Sequence, residues 1–178
     1  MMPTTRYRAL LDAAATVVGL PAWKVKDELY SPGEWLEGLV LVESAGNPRA
    51  IRYERHQDVA SPGDGDKPGQ DDGLLEDDCS YGLMQVMGYN VRVLCGVPLG
   101  SPMNFGLLLL PITNIAFGLR ILSAELQTTR LHVPSALARY NGGSWRNPPG
   151  GAELRNQAYV DKVAAAAHSV RLSRAGVR

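Results

Sequence analysis

Glu43 is the first residue whose placement could do chemistry. Leu36, Leu39, Val40 and Glu43 stand at i, i+3, i+4 and i+7, so the carboxyl falls on the inward stripe of an otherwise apolar helix face. It also falls in the last turn, ahead of Gly46 as a C-cap and Pro48, where the helix dipole opposes a negative charge. Burial and the dipole both favour the protonated carboxyl, the form a general acid needs near neutral pH. A glutamate at a frayed helix end, turning its carboxylate to water, fits the same spacing, and the residue alone does not decide.

Three further segments carry polar groups in apolar surroundings. In Ser80-Tyr81-Gly82-Leu83-Met84-Gln85-Val86 the glycine allows close backbone approach by a ligand, and the Gln85 amide offers donor and acceptor to an uncharged sugar. Ala138-Arg139-Tyr140-Asn141-Gly142-Gly143 closes a helix with a tyrosine and an asparagine. Tyr159 sits on the inner side of the last helix. Buried phenols need partners, and a phenol aimed at a carboxyl can hold it in place. Each segment on its own is equally an ordinary piece of core or helix end.

The elements that must position these residues are helical. Apolar periodicity predicts helices over 4–18, 33–45, 112–127, from Pro134 to Gly142, and from about 153 to 172. The 112–127 stripe runs through Ile112, Ile115, Ala116, Leu119, Leu122 and Leu126. Nothing alternates clearly at period two, although a short hairpin near 50–80 fits, and no repeat of 20–50 residues appears. The fold class is therefore mostly α, one helical domain over 1–178. Residues 56–78 interrupt it with a long acidic loop.

Bulk properties exclude several functions. Eighteen Lys and Arg balance eighteen Asp and Glu, so no field draws the chain to nucleic acid or anionic lipid. The longest apolar run, Phe105 to Leu110, is too short to span a bilayer. Asp12 breaks what would be the core of a secretion signal. Cys79 and Cys95 lack zinc-ligand spacing, and their pairing is open. His56, His132 and His168 are scattered. Asp64, Asp66, Asp71 and Asp72 are hard oxygen ligands, but counting from Asp64 the EF-hand glutamate position falls on Leu75. No metal and no cofactor are expected.

The order of the pieces carries more than each alone. Glu43-Ser44-Ala45-Gly46-Asn47-Pro48, then Gly82-Leu83-Met84-Gln85, then Tyr140-Asn141-Gly142-Gly143, then Tyr159-Val160 resembles the soluble lytic transglycosylase family, which is similar in fold to goose-type lysozyme. The resemblance implies a lysozyme-like helical domain with a substrate groove that cuts the glycan strands of peptidoglycan. It implies Glu43 as the acid–base residue and Ser44 as a positioning group. Met84 would line the groove, Gln85 would contact sugar, and Tyr140 and Tyr159 would bond to the glutamate, with Asn141 beside them.

Two departures stand out. The interval before Gly-Leu-Met-Gln is long, and Arg139 and Gly142 stand where the family commonly has alanine. Three outcomes stay open at this point: a transglycosylase using Glu43 alone, a muramidase with a second carboxylate among Glu76, Asp77 and Asp78, or a glycan-binding module without catalysis. The expected setting is a monomer acting on the wall after synthesis in the cytoplasm, in the manner of a phage lysin.

Overall fold

The computed structural model describes residues 5–54, 77–98, 101–142 and 156–176. Helices account for 61% of these residues and strands for 10%, which places the chain in the mostly α class. In chain order the elements are α1 (Arg8–Val18), β1 (Trp23–Val25), β2 (Glu28–Tyr30), α2 (Pro32–Ser44), β3 (Ile51–Tyr53), β4 (Cys79–Tyr81), β5 (Val86–Met87), α3 (Gly88–Cys95), α4 (Pro111–Thr128), α5 (Val133–Gly142) and α6 (Gln157–Arg174). A 3-10 turn covers Phe105–Leu109. The acidic loop 56–78 lies outside the described residues except at Asp77 and Asp78, and so do Glu76 and the four loop aspartates. No disulfide joins the two cysteines, Cys79 being buried and Cys95 exposed. Among the described residues, no helix is long and apolar enough to cross a membrane.

The chain forms two compact units. One comprises Met1–Gly46 with Gly118–Arg178, the other Asn47–Phe117. The first is built on α2. Ser31 starts it with a reciprocal cap: its hydroxyl accepts from Glu34 N–H, the Glu34 carboxylate accepts from Ser31 N–H at 2.7 Å, and Pro32 follows. The helix ends on Ala45 in the left-handed region (φ 53), one residue earlier than the expected Gly46. Leu36, Leu39 and Val40 are fully buried, as the stripe requires.

α6 runs antiparallel along α2. Arg174 bonds the Gly33 carbonyl at one end, and Ala167 and Val163 touch Gly38 in the middle. A β-carbon on Gly38 would stand 2.8 Å from Ala167 N and 3.1 Å from Val163 O, so only glycine permits this approach. Glu37 is fully buried and accepts from Thr5 N–H (2.8 Å), Arg8 (3.2 Å) and Arg174 (2.9 Å), and Arg174 also holds Asp12. That shared carboxylate locks α1, α2 and α6 in register. α1 buries Leu11 and Ala15, as an amphipathic helix of the domain should.

The hairpin β1–β2, whose three-residue strands are too short to show alternation, pairs Trp23 with Tyr30. Tyr30 Oη donates to Glu28, which also meets His168 of α6 at 2.9 Å. Burial first, and then the Glu28 bond, push the Tyr30 phenol up to about 12. An unfolded phenol ionises near 10, so the folded state alone keeps this proton above that pH. Stability should be fully present below pH 10 and fall as pH climbs toward 12. Melting temperatures recorded from pH 9 to 12 should show that decline, and Tyr30→Phe should flatten it.

In the second unit β3, β4 and β5 form an antiparallel sheet in that order, with Ile51 opposite Tyr81 and Tyr81 opposite Val86. This is the hairpin that fits near 50–80. β4 is buried throughout and β3 exposed throughout. The stripe expected along α4 is rotated at its start: Ile112 and Ala116 are exposed, while Asn114 is fully buried. The reason is polar, because Asn114 holds the turn described next.

Candidate active site

Glu43 is half-buried in the last turn of α2. Tyr159, in the first turn of α6, donates its hydroxyl to Glu43 Oε1. Tyr140, in the last turn of α5, keeps some exposed surface, but its phenol end is desolvated. Burial, and after it the negative charge of Glu43, raise that phenol well above the ordinary tyrosine value. Tyr140 therefore stays a neutral hydroxyl through any physiological pH. The first unit so gathers one carboxyl and two phenols from three helices, an arrangement that orients the carboxyl.

Local structure explains how the three helices deliver these groups. The close α2–α6 approach at Gly38 brings Tyr159 to Glu43. α5 is tied to α4 through Arg139, which pairs with Glu125. Arg139, the departure from the alanine of the resembling family, is thus a strut for the turn that carries Tyr140. Asn141 is half-buried beside it, at the penultimate position of α5. The Ser44 hydroxyl bonds back to the Val40 carbonyl of its own helix at 3.1 Å.

In the second unit, the Gly82–Gln85 turn is a buried scaffold. Gly82 has φ +70, and a β-carbon there would come 2.4 Å from Asn114 Nδ2 and 2.5 Å from the Leu108 carbonyl. The close approach expected of a ligand is made here by the protein itself. Asn114 Oδ1 accepts from Met84 N–H at 2.7 Å, and its Nδ2 donates to the carbonyls of Tyr81 (2.6 Å) and Leu108 (2.9 Å). Met84 is fully buried, and Gln85 is 8% exposed. Gln85 adopts φ 47, and its Nε2 donates to the Gly82 carbonyl at 3.0 Å.

The candidate second carboxylates divide. Asp77 is buried, and both of its oxygens accept from Arg92 Nε, at 2.8 and 3.1 Å. Arg92 also donates to the carbonyls of Pro98 and Ser101 and lies over the Phe105 ring. Asp78 is half-buried, its carbonyl accepting from Glu54 N–H at 3.0 Å. Glu54 is an acid that sequence reasoning passes over; its carboxylate meets Arg52 and Ser80 Oγ, the latter at 2.9 Å. Among the described residues, no group of three or more His, Cys, Asp or Glu is set to hold a metal ion.

Asn114, Gly38 and Asn156 are also missed by sequence reasoning. Asn114 had a signal, a polar residue one position before Ile115 in an apolar helix start. Gly38 and Asn156 had none, because their partners lie far along the chain.

Residues 24–157 match the Transglycosylase SLT domain family. The match covers more than half of the chain, including Glu43, Gln85 and Tyr140, and ends two residues before Tyr159. No curated protein matches the chain.

Proposed function

Because the chain belongs to the Transglycosylase SLT domain family, whose members are peptidoglycan lytic transglycosylases, we propose that it cleaves the β-1,4 bond between N-acetylmuramic acid and N-acetylglucosamine and leaves 1,6-anhydromuramoyl ends. The observation that carries this reading is the Glu43 carboxyl accepting from Tyr159, with the neutral Tyr140 phenol close by.

With Oε1 held as an acceptor, the proton to be given resides on Oε2. Glu43 passes it to the glycosidic oxygen, the bond from that oxygen to muramoyl C1 breaks, and the N-acetylglucosamine end leaves as an alcohol. The substrate's N-acetyl group shields the oxocarbenium-like C1, which makes a second protein carboxylate unnecessary. The Glu43 carboxylate then takes the proton of the muramoyl 6-hydroxyl as that oxygen bonds to C1. The acid is regenerated and no water is consumed. Ser44 and Asn141 are proposed to support or contact the glycan, whereas Met84 and Gln85 are buried in the turn of their own unit and are proposed to shape that turn.

Hydrolysis would instead require a base to activate water. Asp77 is poorly suited, since Arg92 holds its carboxylate as a buried ion pair. Mass spectrometry of digested peptidoglycan tests the product: anhydro ends are lighter by one water than hydrolysed ends. Reducing ends that take up heavy oxygen from labelled water would overturn the transglycosylase reading. Single changes at Glu54, Glu76, Asp77 and Asp78 would then locate the base.

A further inference from the structure

One residue joins the two helix ends that bring the tyrosines to Glu43. Asn156 precedes α6 in the left-handed conformation (φ 66, ψ 30), a region that asparagine tolerates better than most residues. Its carbonyl accepts from Tyr159 N–H at 2.9 Å and Val160 N–H at 3.2 Å, and so starts the turn on which Tyr159 sits. Its side chain reaches α5. Nδ2 lies 3.4 Å from the Ala138 carbonyl, to which it donates. The same amide covers Gly142, where a β-carbon would stand 2.1 Å from Nδ2 and 3.3 Å from Cγ. The glycine after Tyr140-Asn141 is thus explained by the Asn156 amide packed against it.

We propose that Asn156 is a positioning residue that sets the spacing of the Tyr140 and Tyr159 phenols and, through them, the orientation of the Glu43 carboxyl. Its backbone and side chain act on different helices. The carbonyl begins the helix bearing one phenol, and the amide seats the helix end bearing the other. Neither a leucine of the core nor a conventional helix cap would couple the two. The effect on turnover rests on the proposed role of Glu43; the effect on the phenols does not.

The test uses Asn156→Gly, which keeps the left-handed backbone and removes the amide, with Gly142→Ala and the double variant. Asn156→Asp retains shape and backbone but loses the donor, and serves if the glycine variant folds poorly. Displacing the phenols by a fraction of an ångström should lower kcat about ten- to a hundredfold with KM unchanged. Gly142→Ala should be harmful in the wild-type background and add little to Asn156→Gly, whose vacated space accepts the methyl group. Ultraviolet titration, with Tyr140→Phe as the blank, should show Tyr140 ionising at lower pH once the amide is gone. Additive losses in the double variant, or an unchanged Tyr140 ionisation, would overturn the proposal. If Glu43→Gln retained activity, the acid assignment would fail while the titration still judged Asn156.

Discussion

Glu43→Gln is expected to lower glycan cleavage by about 10²–10⁴-fold, the usual loss when general-acid help is removed, while the protein melts near its wild-type temperature. The amide is almost the same size as the carboxyl, and its oxygen can still accept from Tyr159. Packing around Leu36, Leu39 and Val40 is untouched. Only the transferable proton is lost. Release of soluble muropeptides from purified walls, paired with calorimetry, separates the two effects. Retention of more than about a tenth of wild-type turnover would be inconsistent with a general acid at this position.

Gly38→Val should be the most damaging change away from Glu43 itself. The atoms facing Gly38 belong to the backbone of Ala167 and Val163, so no side chain can rotate aside and the helices must separate. Overpacking of this kind costs about 1–3 kcal/mol, and occasionally more. Replacing a mid-helix glycine recovers at most about 1 kcal/mol of helix propensity, less for a β-branched residue. The steric cost therefore wins. For a chain of this length, a net loss of about 2 kcal/mol lowers the melting temperature by roughly 4–8 °C. Activity should fall further than stability, because the same helix carries Tyr159. A melting temperature equal to wild type would show that the helices do not pack as closely as described.

The helices were legible because burial leaves a periodic trace. Leu36, Leu39 and Val40 on α2, and Val163 and Val170 on α6, face inward as their spacing predicts. The α4 stripe failed in its first turn, where Asn114 displaces Ile112 from the buried face to bond the carbonyls of Tyr81 and Leu108. A hydrogen-bonding need at one position outweighed apolar periodicity there. The hairpin β1–β2 and the helix α3 were not foreseen, because three-residue strands and an eight-residue helix offer too few repeats to register. At the candidate site, Glu43 stood out as a carboxyl on an apolar stripe. The order of motifs, not residue type, connected it to Tyr140 and Tyr159. Asn156 stayed hidden, because an asparagine before a helix looks like any cap until its amide is seen against Gly142.

The bond between Glu43 and Tyr159 joins residues 116 positions apart, and this orders the events of synthesis. The unit Asn47–Phe117 is one continuous stretch, able to close over local contacts as it emerges from the ribosome. The other unit is split around it, and α1 can pack on α2 early while the side of α2 that meets α6 must wait until α6 has been made. A nascent chain that has reached Gly142 already carries the carboxyl and the first tyrosine, yet lacks the hydroxyl that fixes them. The hydrogen bond between Tyr159 and the proposed acid Glu43 forms only when the last helix docks, so a growing chain cannot yet hold that carboxyl in place.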